Sequence, residues 1–246
     1  MAQISYDEET AAAYRQAREV PLAGLAHWRE AVAAQVALGP GMTVLDVGAG
    51  TGTFAAAFAE WFGVRVIAVE PSAAMRAAIV PGPGIEVLDG HGAALPVPDA
   101  SADAAWLGSV LHYLPDLGAA ARELRRALKP GAPVLIRNAF PGRCERDARV
   151  RFFPETARVI DTYATVEQVC AAFAEAGFAR VALEAVPHEA AANMAEFAGR
   201  IRRDADSKLR AITDEEFDRG LARLRAAAAS AGPEPVLSWL DLLVLA

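Results

Sequence analysis

A short apolar run, Thr43–Val47, empties directly into three glycines, Gly48, Gly50 and Gly52, spaced two apart in Asp46-Val-Gly-Ala-Gly-Thr-Gly52. A helical pattern, Phe54–Phe62, follows at once. A buried strand, a bare turn and a helix in that order form the opening unit of a parallel sheet. Such a turn lies at the carboxyl edge of the sheet, where open α/β folds bind their ligands. Glycine permits positive φ and lets a ligand approach the backbone. The helix start adds unpaired N–H groups and a partial positive charge.

The alternation continues along the chain. Strands are expected at Val64–Val69, Ile85–Leu88, Ala102–Leu107 and Pro133–Arg137, with helices at Ser72–Ile79 and Ala119–Leu128 between them. Residues 5–36 have helical periodicity and are expected to lie over the sheet as a cap over 1–40. The pattern weakens over 141–165, where charge rises, and this is read as a lid. Val166–Ala176 reads as a helix, Val181–Val186 as a sixth strand, Asn193–Ala229 as helical and Val236–Leu245 as a last strand. The expectation is one domain over 1–246, with a core at 41–140 and lid or substrate-side insertions at 141–165 and 190–232.

A chain of 246 residues suits one full α/β domain. No stretch reaches the ~18 consecutive apolar residues of a membrane span. The acidic start MAQISYDEET lacks the layout of a signal peptide, so a cytoplasmic protein is expected. Cys144 and Cys170 are too few for a disulfide framework and read as free thiols. A net charge of −7 argues against nucleic acid or an anionic membrane as partner. Only Lys129 and Lys208 are lysines among 24 basic residues, which reads as coding bias rather than chemistry.

Two adenine cofactors compete for the glycine turn. A dinucleotide site wants G-x-G-x-x-G, but position 53 is Thr. The G-x-G-x-G spacing after Asp46 resembles the first motif of class I S-adenosylmethionine-dependent methyltransferases. The likeness continues in register: Glu70 stands 18 residues beyond Gly52, with Pro71 and Met75 following. "GHGAALPVPDASADAAWLGSVLHYLPD", Gly90–Asp116, and "RELRRALKPGAPVLI", Arg122–Ile136, are similar to the ubiquinone/menaquinone-biosynthesis type of small-molecule methyltransferase. The likeness covers roughly residues 10–140; beyond that the chain matches in layout only.

The resemblance implies a Rossmann-like, seven-stranded, mostly parallel sheet of order 3-2-1-4-5-7-6, with the last strand antiparallel and helices on both faces. It implies S-adenosylmethionine as cofactor, held by Asp46, Gly48, Ala49, Gly50, Gly52, Glu70, Pro71, Met75, His91, Gly92 and Ser109. Glu70 would take the ribose hydroxyls and Met75 would pack on the adenine. His91 stands where the family usually has Asp, and a neutral imidazole can still accept through one nitrogen. Tyr14 and Arg18 form the Y-x-x-x-R that the family often places over the methionine carboxylate.

The implied chemistry is in-line displacement at a sulfonium methyl, chiefly a matter of alignment. His112 is the candidate base, with pocket lining as its alternative role. Tyr113, Asn138 and Phe153 are candidate substrate contacts, while His188 is a weaker base candidate and His27 a surface or packing residue. Phe152 and Phe153 would close the pocket, or belong to the core. The chain lacks the [D/N]-P-P-[Y/F] of many N-methyltransferases, a paired acidic hairpin and any acid cluster suited to magnesium, so no metal is expected. A small molecule is the expected acceptor, with oxygen preferred over nitrogen and carbon. Arg143, Arg146, Arg149, Arg151 and Arg158 form a solvated, salt-bridged surface, or one or two of them meet an anionic group on the substrate. A nucleoside-binding sensor without turnover and a nicotinamide-dependent oxidoreductase are the competing readings. A monomer or a homodimer is open.

Overall fold

The computed structural model describes residues 22–204 and 206–246. The expected cap helix over 5–36 is described only from Leu22. A single 3-10 turn, Leu22–Leu25, leads into α1, Ala26–Gln35. Tyr14 and Arg18 lie outside the described residues.

The strands are β1 Thr43–Val47, β2 Arg65–Val69, β3 Ile85–Leu88, β4 Ala104–Gly108, β5 Val134–Asn138, β6 Arg180–Ala191 and β7 Val236–Leu245. They form one sheet of order β3-β2-β1-β4-β5-β7-β6. The first five run parallel, and β7 is antiparallel to both β5 and β6. This is the expected Rossmann-like arrangement.

Each central strand is buried on both sides, and alternate residues feed two cores. Leu45, Val47, Ile67, Val69, Ala105, Leu107, Val134 and Ile136 face one layer. That layer holds α4, Leu117–Ala127, and α7, Val166–Ala174. Val44, Val66, Ala68, Ala104, Trp106 and Leu135 face the other. There Trp28 and Val32 of α1 pack with Ala55 and Phe58 of α2, Thr53–Phe62. α3, Ala73–Ala78, connects β2 to β3. So the N-terminal helix does lie over the sheet, as its periodicity indicated.

Two stretches differ from the reading of the sequence. The expected continuous helical run Asn193–Ala229 is three helices: α8 Met194–Arg200, α9 Ser207–Arg210 and α10 Asp214–Ser230. Caps break it, because the Asp206 carboxylate accepts from the Lys208 amide, and Thr213 with Glu216 forms a full capping box. The sixth strand runs to Ala191, well past Val186, through Pro187. Proline is tolerated because β6 is an edge strand, and its register slips twice against β7. The expected lid contains α5, Ala148–Phe152, and α6, Ala157–Ile160. With α8 to α10 it forms a satellite core around Phe152, Phe153, Phe197, Leu209 and Leu224.

Candidate functional site

Gly48, Gly50 and Gly52 all take positive φ, at 72°, 57° and 82°. The Gly48 and Ala49 amides donate to Val69 O at 2.8 and 3.2 Å, which ties the turn to the end of β2. A Cβ at Gly48 would lie 2.4 Å from Val110 Cγ2, and one at Gly52 2.7 Å from Ile79 Cγ2. A Cβ at Gly50 would meet no atom of the described residues within 4 Å. The first and third glycines are therefore demanded by packing, and the middle one opens onto free space. Gly52 has no side chain to cap the start of α2, and the Ala55 amide of its first turn meets the Asp46 carboxyl instead.

Two acids sit beneath this turn. Glu70 accepts from the Gly50 amide at 2.9 Å through Oε2 and from the Ser72 amide at 2.9 Å through Oε1. Arg76 braces the same corner, donating to Glu70 O, Pro71 O and Asp89 Oδ1. Burial pushes the Glu70 carboxyl above its ordinary range, and the two amides and Arg76 oppose the shift. Asp46 is 1% exposed, and its Oδ2 has no hydrogen-bond partner among the described residues. Burial, then the charge of Glu70, pushes its pKa up to about 7, against the Ala55 amide.

A cavity of about 150 Å³ lies at the carboxyl ends of β1, β4 and β5. Of the expected cofactor residues, Asp46, Gly48, Ala49, Gly50 and Ser109 line it. Of the expected substrate residues, His112, Tyr113 and Asn138 line it too. Ser109 is held at φ 58° by its amide donating to Arg137 O and by Arg137 Nη1 donating to its Oγ at 3.0 Å. The His112 ring stacks on Tyr163 at 4.5 Å and 7°, with Tyr113 at 4.1 Å on a tilted plane. Asn138 is buried and donates through Nδ2 to Ala139 O at 2.7 Å.

The residues expected on the adenine side stand apart from this lining. Met75 is buried in α3, whose cap Ser72 accepts from the Met75 amide. Pro71 and His91 are exposed, and a Cβ at buried Gly92 would lie 2.7 Å from Leu114 Cδ2. Phe153 is displaced from its expected place. It is fully buried in the satellite core, stacked on Phe217 at 5.6 Å, and does not reach the cavity. Phe152 belongs to the same core. His27 is exposed, whereas His188 is 5% exposed and lines the cavity.

The arginines of the lid separate into two roles. Arg143 forks onto Asp241 at 2.7 and 2.9 Å. Arg146 lies over Trp239 at 3.9 Å, Arg151 over Phe152 at 5.5 Å, and Arg158 pairs with Glu216. Only Arg149, 3.1 Å from Asp206, also lines the cavity. Sequence reasoning missed Trp106, Arg137, Tyr163, Asp147 and Lys208 in the lining. Arg137 carried a signal, a charge at the carboxyl end of an otherwise apolar strand. Lys208 carried none, because its place depends on where α9 docks. Among the described residues no group of three or more His, Cys, Asp or Glu could hold a metal, and no helix is long and apolar enough to cross a membrane.

The profile of a methyltransferase domain matches residues 45–136. Over 100 residues the chain is 40% identical to an uncharacterized methyltransferase of Mycobacterium leprae, covering 39% of this chain and 36% of that one. Over 121 residues it is 36% identical to the ubiquinone/menaquinone biosynthesis C-methyltransferase UbiE of Caulobacter vibrioides, covering 44% and 48%. The chain thus spans less than half the length of these relatives. In fold it is similar to a putative methyltransferase from an antibiotic biosynthesis pathway of Anabaena variabilis, with TM-score 0.70 and 19% identity over 94% of this chain and 99% of that one. A Haemonchus contortus phosphoethanolamine N-methyltransferase, solved with phosphomonomethylethanolamine and S-adenosylhomocysteine, gives TM-score 0.63 and 18% identity over 99% and 58%. With the glycine turn, its two acids and the 3-2-1-4-5-7-6 sheet in register, residues 45–136 are similar to a methyltransferase domain, and the chain has the fold of the solved methyltransferases it resembles.

Proposed function

We infer that the protein transfers the methyl group of S-adenosylmethionine to a small molecule, with an oxygen acceptor favoured over nitrogen or carbon. One observation carries this reading: the open face of Gly50, whose amide Glu70 holds, and the buried acid Asp46 line a cavity whose remaining wall offers His112, Tyr113 and Asn138. The likeness to a ubiquinone/menaquinone biosynthesis C-methyltransferase supports a small acceptor.

The residues present suit the cofactor. Glu70 has lone pairs beyond those the two amides use, enough to accept from ribose hydroxyls. Asp46 has a buried oxygen without a partner among the described residues, suited to a cationic amino group. Met75, Pro71, His91 and Gly92 form the adenine side, and Ser109 with the glycine turn forms the methionine side. When bound, S-adenosylmethionine supplies a methyl on a sulfonium, a leaving group that departs as a neutral thioether. The chain's own work is to orient the acceptor and exclude water. His112, fixed between Tyr113 and Tyr163, takes the proton that an acceptor hydroxyl loses as its lone pair forms the new bond. We further infer a cytoplasmic enzyme of one domain, monomeric or homodimeric, acting without metal, nucleic acid or membrane partner.

Calorimetric titration with S-adenosylhomocysteine tests the reading. The wild type is expected to bind saturably. Glu70→Ala is expected to bind more weakly by about 1–3 kcal/mol, the loss of a charged hydrogen-bond partner. Incubation with methyl-labelled S-adenosylmethionine and a panel of phenols and amines then identifies the acceptor by mass. A folded wild type that does not bind S-adenosylhomocysteine would overturn the reading.

A further inference from the structure

Part of the cavity wall comes from the two inserted segments, and it is charged. Asp147 and Arg149 of the first segment meet Ser207 and Lys208 of the second along this wall. Lys208 is 8% exposed and donates to Asp147 Oδ2 at 3.2 Å, with Asp147 itself 3% exposed. Arg149 Nε lies 3.1 Å from Oδ2 of Asp206, also 3% exposed.

The carboxylates and the cations in this cluster are not equivalent. Both carboxylates already serve as helix caps. Asp147 Oδ1 accepts from the Arg149 amide at 2.8 Å. Asp206 Oδ1 accepts from the amides of Lys208 and Leu209 at 2.9 and 3.4 Å. Burial would raise the Asp147 carboxyl, but Lys208, Arg149 and the cap amide outweigh it and hold it below its ordinary range. Each carboxylate is thus occupied by a cap amide and a cation. An ammonium has three donors, and among the described residues Asp147 takes one of them. A nearly buried cation with donors left over, on the wall of a cavity, is costly unless a ligand or water meets them.

We propose that this wall is a subsite for an anionic group on the methyl acceptor, a carboxylate or a phosphate, bound by Lys208 with Arg149 alongside. The proposal rests on reading the cavity as the acceptor site. It narrows the acceptor from any small molecule to one with a negative charge apart from the methylated atom. Asp147 and Asp206 act as positioning residues, because each caps the helix that follows it, α5 or α9, through one oxygen and holds one of the two cations through the other.

Benzoate and phenyl phosphate serve as probes, and benzyl alcohol as the neutral control of similar size. Each is titrated by calorimetry into the protein, both saturated with and free of S-adenosylhomocysteine. At least one anion is expected to bind about tenfold or more tightly than benzyl alcohol, the scale of one charge-assisted contact. The preferred anion identifies the group. Lys208→Gln is expected to erase the preference while leaving the affinity for S-adenosylhomocysteine unchanged, and Lys208→Arg to retain it. Because Lys208→Gln leaves Asp147 buried without its cation, the Lys208→Met/Asp147→Asn double variant removes both charges and keeps an Asn cap. No anion preference in the wild type, or a preference that survives in the folded double variant, overturns the proposal. Failure of S-adenosylhomocysteine to bind is a separate outcome. It overturns the cofactor reading and leaves the anion preference of the ligand-free protein to be judged by itself.

Discussion

At the residue scale the glycines and the acid below them make opposite demands. Gly48 is glycine because Val110 fills the space a side chain would need, whereas Gly50 has positive φ and open space before it, where we propose that the cofactor approaches. Alanine separates the two roles. Gly48→Ala is expected to lower the melting temperature sharply, since a Cβ 2.4 Å from Val110 Cγ2 forces the turn apart. Gly50→Ala costs only the ~1–2 kcal/mol of a left-handed alanine, but is expected to weaken S-adenosylhomocysteine binding out of proportion to that loss. Calorimetry beside thermal unfolding checks both, and equal binding losses would remove the distinction. Asp46 gives a pH signature. Its pKa rises from 3.8 to about 7 on folding. Between those values the folded state keeps a proton that the unfolded state has lost, so this residue makes stability fall as pH rises through that window. Asp46→Asn is expected to flatten the dependence there and to gain stability above it. A cationic group bound beside Asp46 would expel the proton, so binding at about pH 6 should release protons and depend on the buffer's ionisation enthalpy. That dependence should vanish in Asp46→Asn, and its absence from the wild type would remove Asp46 from the cationic end of the cofactor site. The glycine spacing and Asp46 were legible in the sequence. The separate reasons for each glycine were not, because they depend on Val110 and Ile79, which approach only in the fold.

At the element scale the second insertion shows why periodicity reads a helical face better than it reads helix ends. Phe197, Leu209, Ile212 and Leu224 recur at helical spacing and share one core, so the apolar face was visible across all three helices. The breaks were set by Asp206 and Thr213, whose caps make two turns cheaper than one rigid rod. The same docking explains why Phe153 is not a pocket residue: Gly220 of α10 leaves the space that its ring occupies. A Cβ at Gly220 would lie 2.1 Å from Phe153 Cδ1. Glycine to alanine inside a helix ordinarily stabilises by about 0.5–1 kcal/mol. Here Gly220→Ala is expected to destabilise by roughly 1–3 kcal/mol, because the ring is buried in a filled core. Hydrogen exchange should accelerate across 194–230, while the amides of β1, β4 and β5 keep their protection. Because Lys208 lies in the same insert, the variant should also weaken any anion preference of the cavity. A stabilised Gly220→Ala protein would mean that α10 does not rest on Phe153 in solution.

At the scale of the whole molecule the order of the strands is the hardest feature to read from local pattern. In a doubly wound dinucleotide fold the sixth strand follows the fifth across the sheet. Here β7 enters between β5 and β6 and runs against both. The family resemblance implied that order, and the composition of the two strands carries its physical reason. Val236–Leu245 is nearly continuous in apolar residues, as a strand covered on both faces should be. Arg180–Ala191 carries Pro187, two register slips and an exposed Val181, all features of an edge. A chain ended at Pro235 tests how much the sheet depends on that insertion. It would lose Leu242, Leu243, Val244 and Leu245, each at most 1% exposed. Burying such a side chain contributes roughly 1.5–3 kcal/mol, so four of them match the ~5–15 kcal/mol that holds a domain together. β5 would become an unprotected edge, and β6 would lose the strand it is paired with along its whole length. The truncated chain is therefore expected to show no cooperative thermal transition by circular dichroism and to bind no S-adenosylhomocysteine, although every residue of the glycine turn is still present. A truncated protein that unfolds cooperatively and still binds would place the stability of the site in β1 to β5 alone, and would reduce the β6–β7 pair and the inserts it carries to an appendage on a self-sufficient core.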